Sequence, residues 1–373
     1  MLLGLAPEPP LDPLSWSGSS AYFFRELETR GVLAGAHEVA TGPVSTALWK
    51  ARTLAYPIQR WKGRYHACVP RFRAMTDIAA QMIAAQRDIV GILQIGALFS
   101  SGGVSSIPCF GYHDANAALL YRYYGRGLLS ERICQRHLAW ERSVNAAFHG
   151  IFVMSEWLAD SFHQDFGIPR KKLHVVGAGI NIAQMPTVPE RIWSPPRFLF
   201  VGKDFARKGG FDLLQAFRIV RETIPDAELI IVGPSLQIEQ PGVVCAGYLN
   251  KSYPQDATYL DQLFRAATAL VLPSIYEPFG ISLLEGMAYG LPCIAVNRCA
   301  MPEIVRHRVN GLIVPAEDPG ALANAMLDLG RNPSDAAQFG ANGRNRVETD
   351  FTWSAVVNKV LATLADAYNI RSS

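Results

Sequence analysis

The amino-acid sequence predicts an α/β protein with two domains, each built around a parallel sheet. Its 373 residues exceed what one hydrophobic core usually organises. Short apolar runs alternate with helical patterns in both halves, which is typical of parallel sheets covered by helices on both faces. Residues 177–196 contain four prolines and little periodicity, so they separate the halves. We expect a first domain over 1–182, a linker over 183–196, a second domain over 197–353 and a final helix over 354–373.

The first half is predicted to alternate strands with helices. The predicted strands lie at residues 1–6, near 38–41, and at 88–95, 106–112, 150–154 and 173–176. Residues 115–148, rich in Ala, Leu, Tyr and Arg, are interpreted as helices that pack on this half.

Two places in this half could hold a ligand. Gly18 follows the first strand and opens a helix to about Arg30, and backbone N–H groups at such a start can hold an anion. The neighbouring serines favour an ordinary helix N-cap, because serine caps helices well. His113 follows the strand at 106–112, at a carboxyl end where open α/β sheets bind ligands. A structural histidine, beside an Asp114 that caps a helix, is the alternative.

A cluster of cations and aromatic residues runs from residue 60 to residue 73, with the sequence RWKGRYHACVPRFR. Such a segment could meet lipid head groups or an anionic acceptor. A solvated surface is the more common interpretation of such a run.

The second half repeats the alternation, with a cationic loop after its first strand. The predicted strands lie at 197–202, 227–233, 243–249, 268–272, 293–296 and 311–315. Lys203, Arg207 and Lys208 lie in the glycine-containing loop before the next helix, where cations can neutralise a pyrophosphate. A plain surface loop remains the alternative. Gly233 ends the second strand of this half.

Residues 268–292 form the segment with the most candidate site residues. They are predicted to form a strand, a loop and a helix that ends at Gly290-Leu291-Pro292. Glu277 lies in the loop, and Glu285 follows eight positions later inside the helix. Between them, the segment from Pro278 through Phe279, Gly280 and Ile281 to Ser282 offers unpaired backbone N–H groups at a helix N-terminus. One anion site with two carboxylates suits a sugar nucleotide.

Composition excludes several classes of protein. The net charge of +3 favours anionic ligands only weakly and gives no case for nucleic acid. Six cysteines occur without a C-x-x-C pair, so we expect neither disulfides nor zinc, and a reducing cytoplasm. We expect no signal peptide at the start, and no uninterrupted apolar run long enough for a membrane span.

The second half resembles the retaining glycosyltransferases of family 4. Glu277 through Glu285 is similar to that family's E-x7-E motif, and Gly290-Leu291-Pro292 and Pro302-Glu303-Ile304 follow in the family's order. Val201-Gly202-Lys203 with Lys208-Gly209 is similar to its diphosphate-binding loop. The resemblance covers residues 150–368 closely and the first half more loosely. Lys203 departs from it, since the family usually has arginine there, and lysine loses the bidentate fork.

The resemblance implies the GT-B fold, in which two Rossmann-like domains face an interdomain cleft and a C-terminal helix crosses back to the first domain. It implies that His113, Glu277, Lys208 and Lys203 act at the reacting centre. The residues it assigns to donor binding are Gly18, Arg207, Gly233, Pro278, Phe279, Gly280, Ile281 and Glu285. Glu277 would hold hydroxyls of the donor sugar and Glu285 those of the ribose.

The implied activity is transfer of a hexose from a UDP-, GDP- or ADP-sugar to a hydroxyl acceptor in glycan or glycolipid synthesis. Many glycosyltransferases hold Mg²⁺ at a D-x-D motif, and this sequence has none, so we expect no metal and no cofactor. A glycosidase with Glu277 and Glu285 as its acid and nucleophile is disfavoured, because hydrolysis of a neutral glycoside needs no diphosphate cradle. A sugar-nucleotide epimerase of the same fold and an inactive sugar-nucleotide-binding protein are the alternatives.

The acceptor is unknown from the sequence. The segment at 60–73 suggests one that is lipid-linked or at a membrane surface, and hence a cytoplasmic protein that is peripheral at the inner membrane face.

Overall fold

The structure, a computed structural model, describes residues 1–125 and 127–369 of the chain. These residues divide into two compact units. Unit 1 comprises Met1–Ala178 together with the chain from Val356 onward, and unit 2 comprises Gly179–Ala355. The segment 183–196, predicted as a linker, falls within unit 2. Residues 370–373 of the predicted final helix lie outside the described residues.

Unit 1 is built on a six-stranded sheet in which neighbouring strands are parallel. Its strands are β1 (Leu2–Ala6), β2 (Leu33–Glu38), β3 (Gly91–Ile95), β4 (Cys109–His113), β5 (Gly150–Val153) and β6 (Leu173–Val175), in the order β2-β1-β3-β4-β5-β6. The strands β1, β3, β4 and β5 are buried from end to end. Burial on both faces explains why the sequence carries continuous apolar runs there instead of alternating ones.

Seven helices named here belong to the first part of unit 1: α1 (Ser19–Thr29), α2 (Pro43–Arg52), α3 (Ile58–His66), α4 (Val69–Ala84), α5 (Ala117–Tyr123), α6 (Glu131–Ala147) and α7 (Glu156–Phe166). α1 places Phe23 and Phe24 in the core, where both are fully buried. α2 and α3 differ from the others, because neither contains a buried residue.

Unit 2 is built on a second six-stranded parallel sheet, in the order β12-β11-β10-β7-β8-β9. Its strands are β7 (Arg197–Val201), β8 (Glu228–Val232), β9 (Val243–Gly247), β10 (Ala269–Leu272), β11 (Cys293–Val296) and β12 (Gly311–Val314). The remaining helices are α8 (Gly210–Thr223), α9 (Pro254–Ala266), α10 (Ile281–Ala288), α11 (Met301–Ile304), α12 (Pro319–Arg331), α13 (Pro333–Asp350) and α14 (Trp353–Asn369). The predicted α/β class with parallel sheets is thereby confirmed.

Strand order positions the candidate site. In unit 2 the first strand, β7, lies between β8 and β10, so the chain turns in opposite directions on its two sides. Ligands of open parallel sheets bind at the carboxyl ends of strands where the order reverses in this way. The loop after β7 carries residues 203–209 and the loop after β10 carries residues 273–280. The two segments predicted to bind phosphate therefore leave neighbouring strands at the same edge of the sheet.

One predicted strand is misplaced. The strand expected near residues 38–41 is β2, which spans Leu33–Glu38. Gly31, with φ of 68°, turns the chain directly after α1, so the strand begins earlier than its apolar residues suggest. The other predicted strands are present, with ends that differ by at most three residues.

Candidate active site

The loop after β7 brings two cations to the edge of the unit 2 sheet. Lys208 N donates to Asp204 O at 3.0 Å, and Gly210 N donates to Phe205 O at 2.8 Å, so the loop is a compact turn. Gly202 makes room for the lysine, because a Cβ at this position would overlap the Lys208 side chain. The turn therefore fixes where Lys208 and its neighbour Arg207 lie.

These cations contact the carboxylate of Glu277, from the loop after β10. Lys208 Nζ lies 2.9 Å from Glu277 Oε2, and Arg207 Nη1 lies 3.5 Å from the same atom. Arg207 also donates to the Tyr276 carbonyl at 2.6 Å, which ties the two loops together. Glu277 Oε2 has these ionic contacts but no hydrogen bond of good geometry within the described chain. The Lys208 and Glu277 side chains are 13% and 14% exposed, and the Glu277 Oε2 atom itself is buried.

The N-terminus of α10 follows Glu277 directly. Gly280 is its N-cap, with φ of 90° in the left-handed region that favours glycine. The N–H groups of Ile281 and Ser282 belong to the first turn and have no intrahelical partner, so they are available to an anion. The Ser282 hydroxyl is buried and has no hydrogen-bond partner within the described chain. This helix start therefore combines unpaired donors with the positive end of the helix dipole.

Pro278 and Phe279 shape the loop in front of that helix. Phe279 is buried, with its ring edge-on to Phe351 at 6.2 Å between centroids. Its side chain is thus an anchor of the loop in unit 2, and a contribution to donor binding would come from its backbone. Pro278 is half-buried.

Glu285 lies one turn inside α10, and its side chain is only 5% exposed. Its Oε1 accepts a hydrogen bond from Lys251 Nζ, in the loop before α9. The sequence did not predict Lys251, because that loop shows no motif and the two residues are 34 positions apart. The buried carboxylate is therefore held by a cation whose own side chain is 46% exposed.

Lys203 is not among the cations that contact Glu277. Its Nζ lies over the ring of Tyr248, 4.8 Å from the centroid, after β9. Gly233, at the end of β8, packs against the Gly202 carbonyl so closely that a Cβ would overlap it. Lys203, Gly233 and Tyr248 thus surround the ends of β7, β8 and β9. Tyr248 is a further residue that sequence reasoning missed, since a lone half-exposed tyrosine carries no pattern.

His113 is the last residue of β4 in unit 1, and it is 2% exposed. Its ring lies edge-on to Phe162 at 5.2 Å and tilted to Phe148 at 6.2 Å. Burial lowers the pKa of His113 to about 3, so the imidazole is neutral at physiological pH. Its Nε2 is buried and has no hydrogen-bond partner within the described chain. A role at the reacting sugar stays a prediction.

Gly18 is the N-cap of α1, with φ of 92°. Trp16 and Ser17 before it also have positive φ, of 47° and 57°. Three successive residues with left-handed backbone angles, two of them not glycine, are energetically unfavourable. Such strained conformations cluster at functional sites. Trp16 packs edge-on against Tyr112 at 5.3 Å, which holds the turn at the carboxyl end of the unit 1 sheet. Its use in donor binding also stays a prediction.

Unit 2 contains the part of the chain that matches a known protein family. Residues 190–346 match the family described as glycosyl transferases group 1. The chain is 30% identical over 218 residues to a glycogen synthase from Mycobacterium tuberculosis, across 55% of this chain and 51% of that enzyme. It is 31% identical over 192 residues to a phosphatidyl-myo-inositol mannosyltransferase from Mycobacterium leprae, across 49% of this chain and 50% of that enzyme. The chain thus spans about half the length of these curated relatives.

Solved structures match over the whole chain. Sucrose-phosphate synthase from Thermosynechococcus elongatus has a TM-score of 0.70 at 18% identity, with 100% of both chains covered. HepE from Anabaena, in complex with UDP and glucose, has a TM-score of 0.70 at 16% identity, covering 98% of this chain and 100% of that one. These matches establish the fold and confirm the predicted GT-B class.

Proposed function

We propose that the protein is a glycosyltransferase, because residues 190–346 match the family described as glycosyl transferases group 1. It moves a hexose from a nucleoside diphosphate sugar to a hydroxyl group of an acceptor. The observation that carries the proposal is the cluster of Lys208, Arg207 and Glu277 at the N-terminus of α10. It joins an anion site to an ion-paired carboxylate at one sheet edge.

The diphosphate of the donor is bound by cations and helix dipole together. Lys208 and Arg207 contact Glu277, and Arg207 Nε also lies 3.3 Å from Asp204 Oδ2, so both cations are held at the sheet edge where a diphosphate would meet them. The unpaired N–H groups at the start of α10 and the Ser282 hydroxyl add hydrogen bonds. As the bond to the sugar breaks, the same groups stabilise the growing charge on the leaving diphosphate.

The two carboxylates orient the donor. Glu277 accepts hydrogen bonds from hydroxyls of the sugar, because a carboxylate can accept from two adjacent OH groups. Glu285 accepts from the ribose hydroxyls, which replace Lys251 at its Oε1. Neither carboxylate acts as a nucleophile in this proposal. The leaving phosphate takes the proton of the acceptor hydroxyl on the face it departs from, so the anomeric configuration is retained.

The transfer needs no metal ion in this proposal. The sequence has no D-x-D motif, and among the described residues no group of three or more His, Cys, Asp or Glu side chains is placed to hold a metal. Lys208, Arg207 and the helix dipole take over the neutralisation of charge.

UDP-glucose is the first donor to test. The Anabaena HepE structures include complexes with UDP and with UDP-glucose, which supports a uridine nucleotide for this fold. GDP-mannose and ADP-glucose complete the panel, since the nucleobase is not determined by the residues named above.

Isothermal titration with these three sugar nucleotides tests the proposal. We expect saturable binding of one of them, and loss of that binding in Lys208→Met. Lys171→Met, which removes an exposed lysine in unit 1, is the matched control and should bind as the unaltered protein does. Absence of saturable binding for every nucleotide sugar would overturn the proposal.

Catalysis is tested separately by NMR of the sugar released on slow donor hydrolysis, in the presence of EDTA. Retained configuration of the first product is expected. Inversion, epimerised donor, or complete loss of turnover with EDTA would contradict the mechanism.

A further inference from the structure

Unit 1 carries a surface that the proposed function does not use. From Val39 to Thr76 the chain contains seven Lys or Arg residues and no Asp or Glu. With a net charge of +3 for the whole protein, this leaves the rest of the chain at −4. The positive charge is thus concentrated in α2, α3 and the start of α4.

The same segment exposes large apolar side chains. They range from 53% exposed at Ile58 to 91% at Tyr56, and the others are Val44, Leu48 and Leu54. Isolated exposed apolar residues are common, but five within fifteen positions are a local concentration of exposed apolar side chains, of the kind found at interaction surfaces. Neither α2 nor α3 buries a residue, so these helices do not serve mainly to fill the core.

Hydrogen bonds hold the apolar and cationic residues next to each other. Trp61 Nε1 donates to the Lys50 carbonyl at 2.9 Å, and Arg64 Nη1 donates to the Leu54 carbonyl at 3.0 Å. Both bonds join α3 to the end of α2 and the chain that follows it. Val44 and Leu48 lie one turn apart and share a face of α2, as Ile58 and Lys62 share a face of α3.

The cations of this surface have no acidic partners. No ion pair joins Lys50, Arg52, Arg60 or Lys62 to a carboxylate within the described chain, although ion pairs such as Arg30 with Glu26 and Arg122 with Asp165 occur elsewhere in it. Arg71, by contrast, is buried, and its guanidinium group lies over the ring of Tyr65, 4.5 Å from the centroid. Its role is therefore structural. Four exposed, unneutralised cations remain beside the apolar patch.

We propose that this basic-apolar surface, formed by Val44, Leu48, Lys50, Arg52, Leu54, Tyr56, Ile58, Arg60 and Lys62, binds a membrane surface that contains anionic lipids. Charge complementarity argues for the anionic head groups, and the apolar side chains argue for a partner with a hydrocarbon layer beneath them. A soluble polyanion such as RNA would gain little from the exposed aliphatic side chains of Val44, Leu48 and Leu54. Trp49 and Trp61, both half-buried, suit the interface between water and lipid. No helix of the described residues is long and apolar enough to span a bilayer, so contact at the surface is the mode proposed.

Cosedimentation of the full chain with lipid vesicles tests this inference, and it requires no sugar nucleotide, so its outcome is independent of the proposed activity. Vesicles of phosphatidylcholine alone are compared with vesicles that also contain phosphatidylglycerol. We expect binding to the anionic vesicles, weakened by salt, and little binding to the neutral ones.

Two variants separate the contributions. Lys50→Glu with Arg52→Glu and Lys62→Glu should lower binding by at least about tenfold, since each cation near an anionic surface contributes to affinity. Val44→Ser with Leu48→Ser should also lower it several-fold while leaving all charges in place. The matched control reverses three exposed cations elsewhere, as Lys171→Glu with Arg218→Glu and Arg331→Glu, and should bind nearly as the unaltered protein does. Circular dichroism establishes that each variant is folded.

Three results would overturn the proposal. One is failure of the unaltered protein to bind anionic vesicles at low salt. Another is an equal loss of binding in the control, which would mean that net charge alone matters. The third is unchanged vesicle binding in Val44→Ser with Leu48→Ser together with equally tight binding of RNA, which would assign the surface to a soluble polyanion.

Discussion

Glu277 contacts Lys208 and Arg207 through the same oxygen, yet that oxygen accepts no hydrogen bond within the described chain. A buried acceptor that lacks a hydrogen bond is suited to a hydroxyl donor from a ligand. Glu277→Gln should therefore lower kcat by ~10- to 100-fold, because hydrogen bonds to a charged acceptor contribute about 1.5–3 kcal/mol. UDP itself should bind at least as tightly as before, since the loss of the carboxylate leaves Lys208 more available to the diphosphate.

Steady-state kinetics and UDP titration of this variant provide the measurement. Glu222→Gln, at an exposed position on α8, is the control and should change neither quantity. Weaker UDP binding with unchanged kcat would place Glu277 at the nucleotide and not at the sugar.

Lys251 provides a second prediction at this scale. Lys251→Met leaves Glu285 mostly buried without its cation, so the ligand-free protein should melt at a lower temperature. The cost should be about 1–2 kcal/mol, below that of a fully buried pair, because Lys251 is 46% exposed. Donor hydroxyls would restore hydrogen bonds to Glu285, so the donor should raise the melting temperature more in this variant than in the unaltered protein. Thermal shift with and without donor measures both, and an equal donor effect would contradict ribose binding at Glu285.

The sequence predicts a residue of the site where a charged residue lies in the loop directly after a strand. Lys208, Arg207 and Glu277 each follow a strand of strongly apolar sequence, so their meeting at one sheet edge could be predicted. Lys251 could not be predicted, because its partner lies 34 positions away, beyond α9 and β10, and the loop that carries it shows no motif. Lys203 was predicted to join the diphosphate cluster, but in the structure its ammonium group lies over the ring of Tyr248 in a cation–π contact, which no local pattern encodes.

The start of α10 gives a prediction at the scale of the element. Gly280→Ala places a Cβ 3.1 Å from Leu283 Cδ1 at a φ of 90°, a conformation that costs a residue with a side chain about 1–2 kcal/mol. The backbone should shift to relieve the strain, and the N–H groups of the first turn would then miss the diphosphate. We expect a lower melting temperature and weaker UDP binding.

Gly320→Ala is the matched control for that substitution. Gly320 also lies in the first turn of a helix, α12, but a Cβ there meets nothing nearer than Asp318 Oδ1 at 3.4 Å. It should leave both quantities nearly unchanged. UDP affinity that is equal in the two variants would mean that the start of α10 does not bind the diphosphate.

The positions of the strands along the chain could be predicted from the sequence. Which strands pair with each other in the sheet could be predicted only in part. Apolar runs mark buried parallel strands because both faces are covered, and this placed eleven of the twelve strands within three residues. β2 escaped because most of its residues are only partly buried, so its sequence, LAGAHE, lacks the apolar run. The pairing of β7 with β10 is a long-range contact, which no local pattern encodes.

At the scale of the molecule, two units with separate parallel sheets follow from chain length and the break in periodicity. The predicted end of the first domain lies a few residues beyond Ala178, where the first segment of unit 1 ends. Proline content marks where regular secondary structure stops, whereas the units divide where the chain stops contacting unit 1 and begins to contact unit 2. The final helix begins in unit 2 and joins unit 1 from Val356 onward, through the buried side chains of Val356, Val357, Val360 and Leu364. An apolar face on a helix does not reveal which core it will join.

Buried ionisable groups in unit 1 give its stability a pH dependence. Burial lowers the pKa of His113 to about 3 and that of His137 to about 4, and it raises the pKa of Glu141 to about 7. Below pH ~6.5 the unfolded chain binds protons at both histidines while the folded chain does not, so acid destabilises the fold. Glu141 acts in the opposite direction between pH ~4.5 and ~7, because there the folded state holds a proton that the unfolded state releases.

Glu141→Gln should therefore make unit 1 more sensitive to acid. The amide keeps an oxygen that can accept the hydrogen bond from Ala117 N, but it removes the group that opposes the histidines. Between pH ~4.5 and ~6.5 the free energy of unfolding should fall with acid more steeply than in the unaltered protein, by up to about 1.4 kcal/mol per pH unit. Urea unfolding followed by tryptophan fluorescence measures this, since five of the seven tryptophans lie in unit 1. Other carboxylates contribute equally to both proteins, and Glu222→Gln controls for the loss of one charge. Equal slopes in Glu141→Gln and the unaltered protein would mean that Glu141 is ionised in the folded state.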